Sequence, residues 1–136
     1  PEELLQARLA PDMFPFTYQV RSCVTHSVGA LEGTRRGLFS PALEPPPETF
    51  AALRGIVTGA LDTLAKIEPA EVDGWVGRDA AFAFREHRMD FTAEDFLMSF
   101  SLPNFYFHAV TVYDILRWKG VEIGKRDFLG RLRLKG

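Results

Sequence analysis

Residues 50–67, FAALRGIVTGALDTLAKI, decide the architecture. Phe50, Leu53, Val57, Ala60, Leu61, Leu64 and Ile67 recur at three- and four-residue intervals, whereas Arg54, Asp62 and Lys66 fall elsewhere. That spacing predicts a helix of about five turns with one buried face, stopped before Pro69. The same rhythm recurs upstream, where Phe16, Val20, Cys23, Val24, Val28 and Leu31 form a second stripe that Gly33 and Gly37 weaken. Downstream, Phe105, Ala109, Val112, Tyr113 and Leu116 predict a third helix reaching Lys119 and closed by Gly120, with Pro103 kinking or restarting it.

The connecting segments are equally readable. Pro1-Glu2-Glu3 ahead of Leu4, Leu5 and Leu9 predicts a short opening helix that Pro11-Asp12 ends. The run from Pro41 to Pro47 predicts a loop of polyproline character, and Pro69 to Val72 one helical turn. Phe82 and Phe84 before Arg85-Glu86-His87-Arg88, with Met89 and Phe91 after, alternate with period two and predict a β-hairpin. Thr92 and Asp95 stand in capping-box spacing, so a helix should begin at Ala93. Val121 to Gly136 predicts an irregular tail.

The expected fold is therefore all-α, a single helical-bundle domain over residues 1–136 with a small β-hairpin before the last helix. Three long striped helices leave an antiparallel bundle one short of closure. The expectation is that an upstream helix or a partner chain covers the open face, and a first residue of Pro1 instead of Met agrees with a lost upstream segment.

Composition narrows the function classes. The 136 residues are 46% hydrophobic and 25% charged, which is ordinary globular usage and excludes disordered and collagen-like chains. Charged residues interrupt every apolar run before it reaches the roughly 18 residues of a spanning helix, so no membrane is expected. A formal net charge of -2 offers phosphate no clustered attraction, so no nucleic acid is expected. Lone Cys23 has no disulfide partner and no signal peptide opens the chain, which points to the cytoplasm.

Chemistry rests on few residues. His26 lies at the edge of the second helix's stripe, in a strip with Gln19, Ser22, Ala30 and Gly33, and His108 lies on the apolar face of the last helix with Asn104 and Thr111 nearby. One reading makes the two imidazoles ligands of a divalent metal, with Cys23 one turn from His26 as a soft third ligand. The other makes each a buried histidine satisfied by Asn104, Thr111 or a carbonyl, and Cys23 a small hydrophobe. Tyr106 and Tyr113 are candidates for a substrate pocket with Cys23, or core aromatics. His87 is expected in solvent. No nucleophile elbow, phosphate loop or zinc-finger spacing occurs.

Longer blocks carry a resemblance: Ala7-Arg8-Leu9-Ala10-Pro11-Asp12-Met13-Phe14-Pro15, His26, Leu102-Pro103-Asn104-Phe105-Tyr106-Phe107-His108, and Gly120 to Gly130. Together they resemble the bacterial and fungal domain-of-unknown-function family nineteen-ninety-three, a branch of the DinB/YfiT-like metalloenzyme superfamily. The resemblance implies a four-helix bundle, usually a homodimer, with a further helix upstream. Better-known relatives hold zinc or nickel through one histidine on the second helix and an H-x-x-x-H pair on the last. His26 matches the first position and His108 the second member of the pair, while Asn104 replaces the remaining histidine, and an amide oxygen is a poor zinc ligand.

Two functions follow as expectations. One is a dimeric module binding a small-molecule ligand, with a degenerate metal site and the histidines as polar anchors. The alternative is a metal-dependent enzyme acting on thiol conjugates as a transferase, isomerase or hydrolase, in which His26 and His108 hold the ion and Asn104 orients its water.

Overall fold

The computed structural model describes all 136 residues, in a mostly helical fold that also carries a small three-stranded mixed sheet. The all-α expectation is thus corrected. Beyond the hairpin there is a further strand, β1 (Leu38–Phe39), which pairs in parallel with β2 (Asp79–Phe84). β2 in turn pairs antiparallel with β3 (His87–Thr92) across Arg85 and Glu86, giving the order β1-β2-β3. Arg85 takes a φ of 55°, the left-handed geometry that lets a two-residue turn follow the sheet twist.

Three long helical rods carry the rest. α1 (Glu2–Leu5) is shorter than the leucine spacing suggested. The first rod is α2 (Phe16–Val24), a π-turn π1 (Thr25–Gly29) and α3 (Ala30–Arg36), continuous in right-handed angles until Gly37 ends it at φ 82°. The second is α4 (Phe50–Leu64), whose first turn is capped by Thr49 Oγ1 accepting from Ala52 N at 3.1 Å. α5 (Pro69–Asp73) is the expected single turn.

The third rod starts at α6 (Ala93–Asp95), where Thr92 Oγ1 accepts from the Asp95 amide as the capping pattern predicted. It passes through a second π-turn, π2 (Phe96–Ser101), into α7 (Leu102–Trp118). α7 thus restarts beside Pro103, as its position suggested. The proline sits in the first turn of α7, and the wider π-turn ahead of it accommodates a ring that would press on a preceding carbonyl in α geometry. The tail is also more regular than expected: α8 (Lys125–Leu129) forms, with Asp127 Oδ2 accepting from Gly124 N at 2.7 Å.

The first rod is central, with α2 packed between α4 and α7. Two apolar cores form at its two ends. Leu5, Phe16, Leu53 and Ile115 build one, and Ala30, Phe39, Trp75, Ala80, Ala93 and Phe96 build the other beneath the sheet. α4 and α7 leave a groove over α2, floored by Val20 and Cys23 and closed at one end by Ile123, Phe128 and Leu129.

Gly33 is where the sheet meets the central rod. A Cβ placed there would lie 2.8 Å from Phe39 Cβ and 3.0 Å from Phe39 Cα, so β1 docks only because residue 33 has no side chain. Gly33→Ala is expected to lose about 1–3 kcal/mol of stability through forced separation of the two backbones. Urea unfolding monitored by circular dichroism checks this; an unchanged midpoint would show that β1 is loosely held.

Candidate functional site

The third residue of the chain's chemistry, after His26 and His108, turns out to be a glutamine. His26 sits within π1 and His108 midway along α7, in the layer between the two cores. Their ring centroids are 5.5 Å apart with planes only 8° from parallel. The two imidazoles therefore converge in the interior of the fold. Phe39 and Phe100 pack against His26 at 5.8 and 5.9 Å, and Tyr18 meets His108 edge-on at 6.3 Å.

Gln19, two turns before His26 on the same rod, is 2% exposed. Its Nε2 donates to the Phe14 carbonyl at 3.1 Å, which turns its Oε1 toward His108 Nδ1 at 2.6 Å. An amide oxygen only accepts, so the His108 Nδ1 must carry the proton. Its Nε2 then keeps the lone pair. Partners of this kind, which fix a tautomer from behind, are how a working imidazole is oriented.

His26 is different. Its Nδ1 is buried and has no hydrogen-bond partner. Burial pulls its pKa down to about 4, with the nearby His108 adding to the shift, and burial lowers His108 in the same direction. At neutral pH the pair is uncharged.

The other candidates are dispersed. Asn104 Nδ2 donates to the Phe100 carbonyl at 2.8 Å, and Thr111 Oγ1 to the Phe107 carbonyl at 2.7 Å, so both are tied to their own helix. Neither is the histidine partner expected for them; Gln19 takes that part. Cys23 and Tyr113 line the groove over α2, away from the cavity beside His26, and burial pushes the Cys23 thiol up to about 11, which keeps it protonated. Tyr106 lines both spaces. His87 is exposed at the start of β3. Glu94 accepts from the Gly77 amide at 2.8 Å, and Asp90 pairs with Arg88 at 3.0 Å in solvent.

The cavity beside His26 measures about 330 Å³. Its walls include Ala30, Leu31, Leu64, Leu97 and Phe105, with His26, Ser27 and Ser101 as polar members. Ser101, at the end of π2, was not singled out in the sequence; a serine inside Leu97-Met98-Ser99-Phe100-Ser101-Leu102 gives no signal there.

A metal finds a poor match in these residues. No group of three His, Cys, Asp or Glu side chains gathers anywhere in the chain, whereas catalytic zinc takes three protein ligands. Near-parallel rings also hold their in-plane lone pairs in parallel planes, and a shared ion would require one ring to turn.

The fold and the pair define a helical protein with an interior, uncharged histidine site. The chain belongs to the family described as "Domain of unknown function (DUF1993)", which matches residues 1–129. It is similar to a crystallised DinB family member from Shewanella denitrificans, with 29% identity and a TM-score of 0.75 over 99% of this chain and 76% of that one. No curated protein matches the sequence. No helix is long and apolar enough to cross a membrane.

A pH dependence follows from His26. Its folded pKa is depressed from 6.5 to about 4, so the unfolded chain binds the extra proton first as pH falls. The stability associated with the neutral ring is full above about pH 6.5 and lost as pH drops toward about 4. Thermal melts between pH 7.5 and 4 should show a steeper decline for the native protein than for His26→Gln; parallel curves would show that the ring is freely protonated in the folded state.

Proposed function

We propose that this protein binds a small uncharged molecule in the cavity beside His26, with that histidine as a neutral polar anchor and no resident metal. The observation that carries the proposal is that His26, held uncharged by burial, lines an apolar cavity of about 330 Å³. That volume is at the lower end of small-molecule sites, which combine apolar walls with a few polar groups. A cationic ligand finds no carboxylate among the lining residues, and an anionic one no Lys or Arg. Both would be desolvated without compensation.

The second reading, a metal-dependent enzyme of the DinB kind, draws on one observation. Gln19 orients His108 from behind, as partners of metal-ligating histidines do. The two readings separate cleanly. Protein purified without an affinity tag should contain well under one equivalent of zinc or nickel, with no further loss in His26→Ala or His108→Ala. One equivalent that disappears in both variants would establish the enzyme reading instead.

Binding itself is tested with toluene as the probe. Toluene should raise the thermal midpoint of the native protein and leave that of Met98→Trp unchanged, because Met98 is a largely exposed lining residue where an indole can fill the opening. Equal shifts in both proteins would move the binding elsewhere.

A further inference from the structure

The net charge of -2 conceals a separation of charge along the chain. From Lys125 to Gly136 there are five Lys or Arg residues against one acid, Asp127, a net charge of +4, whereas the 124 residues before them hold eleven against seventeen, a net charge of -6. Asp127 is moreover engaged by the Gly124 amide at 2.7 Å. Most of the molecule therefore repels an anionic partner while this one segment attracts it, which the total charge does not reveal.

The same segment exposes hydrocarbon. Phe128 holds α8 against the groove, with its ring edge-on to Tyr113 at 6.0 Å. Past that anchor, Arg131-Leu132-Arg133-Leu134-Lys135 forms neither helix nor strand and joins neither apolar core. Leu129, Leu132 and Leu134 are 50%, 58% and 80% exposed, and all five cations are exposed with them. A single leucine at a surface is ordinary. Leucines that alternate with cations are a pattern, because extended backbone sends successive side chains to opposite sides: Leu132 and Leu134 to one, Arg131, Arg133 and Lys135 to the other.

We propose that residues 125–135 are a contact surface for an anionic lipid bilayer, with Leu132 and Leu134 entering the boundary between headgroups and acyl chains and the cations pairing with lipid phosphates and carboxylates. Binding of this kind draws on buried apolar area and electrostatic attraction together, and the segment supplies both. The net negative charge of the preceding residues confines the contact to this segment. The absence of a spanning helix bears on crossing a bilayer and not on resting against one. Nucleic acid offers the same phosphates but leaves the leucines in water, and the stacking aromatics that hold single strands are missing beyond Phe128.

Sedimentation of the full chain with sucrose-loaded vesicles tests this. The protein should pellet with phosphatidylcholine vesicles that contain about 30% phosphatidylserine, stay in solution with phosphatidylcholine alone, and be released by added salt. Arg131→Gln combined with Arg133→Gln should weaken the binding at least about tenfold, since each cation near an anionic surface is worth about a factor of five. Leu132→Ser combined with Leu134→Ser keeps every charge and should also weaken it about tenfold. Both pairs stand in solvent outside the two cores, so both variants should melt with the native protein, which separates lost contact from lost folding. Arg54→Gln combined with Lys66→Gln removes two exposed cations from elsewhere and should bind as the native protein does. Failure to pellet with the phosphatidylserine vesicles, undiminished binding in either tail variant, or an equal loss in the Arg54 and Lys66 variant would overturn the proposal. Binding to a single-stranded oligonucleotide that exceeds binding to the vesicles and survives the leucine substitutions would overturn it in favour of nucleic acid.

Discussion

Phe39 ties the small sheet to both rods that carry the histidines, and the site exists because of it. Its ring packs with Phe82 across the β1–β2 pair at 6.1 Å, with Phe96 and Phe100 of π2 at 5.5 and 6.2 Å, and with His26 of π1 at 5.8 Å. Aromatic pairs at these separations add directional attraction to the burial of their surface. The contact is possible only because Gly33 lets β1 approach the central rod. A single short strand thus fixes the distance between two helical irregularities that would otherwise have no common reference.

Those irregularities explain where the polar groups stand. An α-helix carrying Phe16, Val20 and Ala30 inward would keep a strict 3.6-residue phase between the two cores. The extra residue in π1 shifts that phase within the layer between them, and π2 does so on the facing rod. Polar residues therefore reach the interior at a level where the apolar stripes alone would have placed hydrocarbon. The same layer holds Gln19, whose amide is committed at both ends, to Phe14 and to His108. Its rigidity contrasts with the unmet Nδ1 of His26 two turns further along the same rod.

The stripes, the hairpin and the Thr92 cap are legible in the sequence because each is a local pattern with a local cause. His26 and His108 were legible too, as imidazoles on faces that had to turn inward. β1 was not: Leu38-Phe39, between Gly37 and Pro41, is too short to show any alternation, and its pairing with Ala81 and Phe82 bridges over forty residues of chain. The π-turns leave no mark in a four-residue spacing, and Pro103 alone signalled the place where α7 restarts. Asn104 looked like the partner of His108 because it lies one turn away on the same helix. Gln19 won because it faces His108 from the neighbouring rod, a relation that no single-helix periodicity contains.

Charge decides what the histidine pair can do. Two imidazoles 5.5 Å apart in a partly desolvated layer repel if both ionise, and burial already opposes the first proton. With Gln19 offering only an amide oxygen, no carboxylate is at hand to stabilise an imidazolium. A pair that acted as general acid near neutral pH would need such a carboxylate, because a group held near pKa 4 is almost wholly deprotonated there. The lone pair on His108 Nε2 makes that ring an acceptor of hydrogen bonds instead. In the binding function proposed above, recognition would then rest on donors of the ligand and on the apolar walls of the cavity.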